Sequence, residues 1–112
     1  MAVCRGEIYT VELSPTRGSE MKFDHPCIIV SSDSINKAAA VVIVCPITDA
    51  IGKHSPIHIP IPKGESGLTK DSIAHCGQIR SIDKERLKKK WGDLQDARMK
   101  TIDAGIKLAL AL

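Results

Sequence analysis

The run Ala39–Ile47, AAVVIVCPI, constrains the fold more than any other stretch of this chain. Its β-branched residues lose side-chain freedom in a helix and pack well on a pleated sheet, so it reads as a strand. Pro46 stands near its end, where a missing N–H points to an edge or a bulge. The same punctuation recurs. Arg5–Leu13, RGEIYTVEL, reads as a first strand and Pro26–Val30 as a second, the latter apolar on both faces. Pro56–Ile61, PIHIPI, alternates, with Ile57, Ile59 and Ile61 on one face, His58 on the other, and prolines that suit an edge. Ser72–Ile82 reads as a further strand with Gly77 as a bulge. SSDSINKAA is a connector. DKERLKKKWGDL holds a short helical turn and then a brief strand around Trp91. From Asp96 the period changes: Met99, Ile102, Ile106 and Leu110 form one stripe of a C-terminal helix, which Gly105 weakens. The expectation is one domain over residues 1–112, mainly β, with about five or six short strands forming a small barrel closed by that helix.

Aromatic residues make up only 3% of the chain, so the core must rest on Ile, Val and Leu. The 26% of charged residues is ordinary for a globular protein and argues against disorder. No apolar run is long enough to span a bilayer, and the N-terminus lacks a signal-peptide pattern, so the expected location is the cytoplasm. Cys4, Cys27, Cys45 and Cys76 have no close spacing of the kind that structural zinc needs, and they read as reduced, packed thiols. His25, His54, His58 and His75 are scattered, which leaves no metal site. The net charge of +3 permits a polyanionic partner without requiring one. Phosphate-loop, zinc-protease and hydrolase-elbow motifs are all missing from the sequence.

One chemistry needs little more than this chain offers. RNA carries its own nucleophile, the 2′-hydroxyl. A protein that cleaves it must take that proton, return one to the leaving 5′-oxygen, and steady charge on the phosphate. Histidine suits the proton steps, and cations and hydroxyls suit the charge. Arg17, His25, Thr48, Lys53, His75 and Arg80 stand at strand ends or in adjoining loops.

In order along the chain, RGEIYTVELSPTRGSE, HPCIIVSSD, VVIVCPIT and DSIAHCGQIRSIDKERL resemble the MazF/PemK family of toxin endoribonucleases, over nearly the whole length. The resemblance implies an SH3-like, plasmid-maintenance-toxin barrel that pairs as a homodimer. It implies cleavage of single-stranded RNA, often mRNA, without metal or other cofactor, to a 2′,3′-cyclic phosphate and a 5′-hydroxyl. It also implies a cognate antitoxin that covers the RNA groove.

Carried over residue by residue, Thr48 matches the threonine that holds the phosphate. His25 stands where the family has its principal catalytic arginine. It becomes the expected general base or acid, with Arg17, Lys53 or Arg80 supplying the lost cation. His75 and Gly77 stand where PemK-type members carry an arginine and an aspartate; His75 can inherit a catalytic role and Gly77 cannot. Arg80 also suits a structural role beside Asp83. Lys88–Lys90 is a solvated face or an RNA-backbone patch, and Trp91 a helix anchor or a platform for a base. Two other activities fit the same fold: a gyrase poison, against which the C-terminal LALAL argues, and a catalytically weak homologue that only binds its antitoxin.

Overall fold

The computed structural model describes residues 2–13, 17–20, 24–52 and 54–112. Its strands are β1 (Glu7–Glu12), β2 (Asp24–Ile29), β3 (Val41–Asp49), β4 (His58–Ile61), β5 (Ser72–His75), β6 (Arg80–Asp83) and β7 (Leu87–Asp93). Two helices join them, α1 (Asp33–Ala38) and α2 (Asp96–Leu110). The strands pair antiparallel in the order β4-β5-β3-β2-β1-β7, with β6 added to β3.

β3 is the trunk of the sheet. Along one edge it pairs with β2; along the other, its first half pairs with β6 and its second half with β5. Pro46 is therefore not on an edge strand. The Val30 N–H donates to the Ile43 carbonyl, so odd-numbered residues of β3 turn their backbone groups toward β2 and even-numbered ones toward β5. Pro46 thus lacks a hydrogen for β5. There β5 ends at His75, Cys76–Gln78 forms a 3₁₀ turn, and pairing resumes with Arg80 opposite Val44. The continuous strand expected over Ser72–Ile82 is two strands, split where the trunk cannot donate.

Apolar side chains form two clusters. One gathers Tyr9, Val11, Leu13, Cys27, Ile29, Val42, Val44, Ile82 and Leu87, inside the curve of β1, β2, β3, β6 and β7. This is the barrel-like part of the fold. The other joins Ile8, Ile28, Cys45 and Ile47 to Ile61, Ala74 and the Met99 and Ile102 side chains of α2. Each fully buried aliphatic side chain contributes about 1.5–3 kcal/mol relative to exposure, which is how a chain so poor in aromatics holds together. β4 is an edge strand, as Pro60 requires; it starts at His58, and Pro56 lies in the turn before it. Cys27, Cys45 and Cys76 are buried and Cys4 is exposed, all as free thiols.

Residues 31–39 are not a bare connector. Ser32 caps α1 by accepting from the Ile35 amide, and buried Asn36 bonds back to Ser31. The C-terminal stripe is also shorter than its spacing suggests: Leu110 is 52% exposed.

Gly105 lies where α2 comes closest to the sheet. A Cβ there would meet the Cys76 Sγ and Ile59 Cγ1 atoms, each at 2.8 Å. Gly105→Ala should gain about 1 kcal/mol of helix propensity. The close approach outweighs it, and we expect net destabilisation within the roughly 1–3 kcal/mol range of overfilled cores, read from urea unfolding.

Candidate active site

β2 pairs with β3 through Cys27 opposite Pro46 and Ile28 opposite Cys45. Continuing that register sets Pro26 opposite Ile47 and His25 opposite Thr48. The Ile47 carbonyl points at β2 and would accept the N–H of residue 26, but proline has none. The His25 ring fills the gap: its Nδ1 lies 3.2 Å from the Ile47 oxygen. A carbonyl only accepts, so Nδ1 must carry the hydrogen. In the neutral ring Nε2 is then left with its lone pair. Half-buried, inside β2 rather than in a loop before it, and not bonded to Asp24, His25 is held by the sheet. Asp24 pairs instead with Lys88 at 3.1 Å.

A cleft of about 240 Å³ opens beside this pair of strands. His25, Thr48, Asp49, Lys70 and Trp91 line it. Thr48 is half-buried, and Lys70 is exposed at the mouth. The Trp91 Nε1–H donates to Thr10 Oγ1 at 2.7 Å, which fixes the indole as one wall. Asp49 is turned to the Ile51 amide at 3.2 Å. The cleft therefore brings together a ring nitrogen able to take a proton, a hydroxyl donor, a cation and an aromatic face.

Arg80 does not line this cleft. It lines a second hollow of about 230 Å³ with Leu13, Glu20, Pro46 and Gln78, and its Nη1 donates to the Leu13 carbonyl at 3.2 Å. Arg17 is exposed on the turn that ends at Glu20. Lys53 lies outside the described residues. His75 faces His58 across the β4–β5 pair and does not line the cleft. Lys70 escaped the sequence reading because only the pairing of Ser72 with Asp49 brings the loop before β5 to Thr48. Burial pushes the Cys27 thiol up to about 12, so it is no nucleophile.

The lysine run is divided among partners. Lys88 holds Asp24, Lys90 holds Glu7 and Asp93, and the Lys89 ammonium stands 5.7 Å from the centre of the Trp91 ring. Burial pushes the Glu7 carboxyl up. Hydrogen bonds from Lys90 and the Cys4 amide, with the lysine's charge, outweigh it and hold Glu7 below its usual value. A lowered carboxylate adds stability that is present at neutral pH and lost as pH falls through its folded value. Glu7→Gln should therefore be less stable than the parent at neutral pH, with the gap closing on acidification; urea unfolding at several pH values reads it.

The family model for the PemK-like, MazF-like toxin of type II toxin–antitoxin systems matches residues 4–110. The chain is 41% identical over 109 residues to the endoribonuclease MazF of Staphylococcus saprophyticus, covering 96% of this chain and 91% of that one. Among solved structures it is similar to MazF from Deinococcus radiodurans, with a TM-score of 0.86 at 17% identity over 100% of this chain and 99% of that one. A Mycobacterial endoribonuclease solved with its cognate antitoxin gives a TM-score of 0.81 at 23% identity over 99% and 97%. These structural likenesses support the fold. Among the described residues no helix is long and apolar enough to cross a membrane.

Proposed function

Because the chain belongs to the PemK-like, MazF-like toxins of type II toxin–antitoxin systems, we propose that it is an endoribonuclease of the cytoplasm that cuts single-stranded RNA, mRNA among it. The observation that carries the mechanism is the His25 ring, anchored by Nδ1 on the Ile47 carbonyl and set opposite Thr48 in the register. Nε2 accepts the proton of the ribose 2′-hydroxyl. The 2′-oxygen attacks the adjacent phosphorus, the bond to the 5′-oxygen breaks, and that oxygen leaves as a hydroxyl with a proton from solvent. A 2′,3′-cyclic phosphate remains on the other fragment. The Thr48 hydroxyl donates to a non-bridging oxygen, and Lys70 supplies the positive charge that the family arginine would have brought. Trp91 offers its face to a base.

No metal ion enters this scheme. His75, whose Nε2 faces His58 rather than the cleft, is given no proton to move. Arg80, tied to the Leu13 carbonyl, holds the wall of the second hollow, where with Arg17 it can meet the RNA backbone beyond the cleft. The chain works as a single-domain protomer of a homodimer, and its cognate antitoxin lies over the cleft. The gyrase-poisoning alternative finds no support among the relatives. The second reading, a homologue that binds its antitoxin but cuts nothing, rests on the replacement of the family arginine by His25.

Purified protein should cut long single-stranded RNA in excess EDTA and leave 5′-hydroxyl ends. His25→Ala should slow cleavage by about 10²–10⁴-fold, as loss of a proton-transfer group does. Thr48→Ala should cost about 10²–10³-fold, as loss of one transition-state donor does. His25→Arg should keep some activity with a changed pH profile. Ends bearing 5′-phosphate, or strict magnesium dependence, would overturn the mechanism; equal rates for the parent and His25→Ala would favour the inactive homologue.

A further inference from the structure

His58 and His75 are directly opposite each other in the β4–β5 pair, and their Nε2 atoms stand 3.2 Å apart. Directly opposite residues share a sheet face. Their position on that face is set by the registers already given. One row across the strands is His25, Thr48, Ile73 and Pro60. His75 and His58 stand two residues along from Ile73 and Pro60 on the same two strands, one pleat away. The histidine pair therefore sits beside the cleft, on the same face as Thr48.

We propose that His58 and His75 form a two-imidazole site for a borderline transition-metal ion such as Zn²⁺, Ni²⁺ or Cu²⁺, separate from the cleavage chemistry. Two nitrogens bound to one tetrahedral Zn²⁺ at about 2.0–2.1 Å stand about 3.3 Å apart, close to the spacing seen here. The two Nε2 atoms hydrogen-bond to each other, one donating and one accepting, and an ion would replace the proton they share; both Nδ1 atoms are buried, which leaves Nε2 as the ligating nitrogen of each ring. The rings are half-buried, meet edge to face with centroids 4.4 Å apart, and stand on backbone fixed by strand pairing, so binding an ion needs the rings to turn but not the strands to move. Gly77 packs close to one side of His75: a Cβ there would lie 3.3 Å from the ring Cε1. No group of three or more His, Cys, Asp or Glu side chains suited to a metal occurs among the described residues. Water would complete the coordination, which makes an exchangeable site rather than a structural one. Imidazole donors suit Zn²⁺, Ni²⁺ and Cu²⁺ and do not suit Mg²⁺ or Ca²⁺.

The test uses the full-length, tag-free protein without RNA, so a chain that cuts nothing still reports on this site. Isothermal titration with Zn²⁺ and with Ni²⁺ should show one ion per chain, and Mg²⁺ should show none. His58→Ala and His75→Ala should each weaken binding by more than the roughly 10–100-fold that loss of an outer-shell partner costs. His54→Ala should leave it unchanged. In the parent protein, Zn²⁺ should shift the NMR ring signals of His58 and His75 while leaving those of His25 in place, a readout that needs no variant to fold. Absence of uptake at Zn²⁺ far above the protein concentration, uptake retained in the double variant, or ring shifts confined to His25 or His54 would each overturn the proposal.

Discussion

Pro26 removes one hydrogen from the ladder between β2 and β3, and the candidate site is built around that gap. The carbonyl of buried Ile47, aimed at β2, would otherwise bear the cost of an unmet acceptor. His25 meets it with Nδ1–H at 3.2 Å. One contact thereby satisfies a backbone group, holds the imidazole across from Thr48, and selects the tautomer in which Nε2 is bare. The proline and the histidine act as a unit: an ordinary residue at 26 would close the ladder and leave the ring nothing to hold.

That arrangement would let a histidine stand where the resemblance to the family leads one to expect arginine. Arginine brings a forked charge and no useful titration; histidine brings titration and no fork. The charge has to come from elsewhere, and the cleft has Lys70 at its mouth. The lysines of β7 are less available. Lys88 and Lys90 are in ion pairs, and Lys89 leans on Trp91, so what looks in the sequence like a basic patch is largely a strut between β7, β1 and β2.

Much of the fold could be read from the chain because local chemistry and tertiary placement agree there. β-Branched residues mark β3, paired prolines mark the exposed edge at β4, and three-and-four spacing marks α2 as far as Ile106. The resemblance to the MazF/PemK family, carried by ordered motifs, fixed the barrel-like class and pointed to His25 and Thr48 together. The misreadings have one cause, pairing between distant segments. α1 is too short and polar to show a period; its Asn36 is buried only because Ser31 receives it. The split between β5 and β6 is dictated by Pro46 on another strand. Lys70 reaches the cleft through the rung of Ser72 and Asp49. The alternation of PIHIPI placed His58 opposite its isoleucines, but nothing local to either strand could place it against His75.

The most direct measurement is the tautomer of the neutral His25 ring, from long-range ¹H–¹⁵N NMR correlations of the free protein. Hydrogen on Nδ1 with Nε2 bare is the result the register demands. Hydrogen on Nε2 would leave the Ile47 carbonyl without its donor and His25 without a lone pair for the ribose, and the account built on that contact would be wrong.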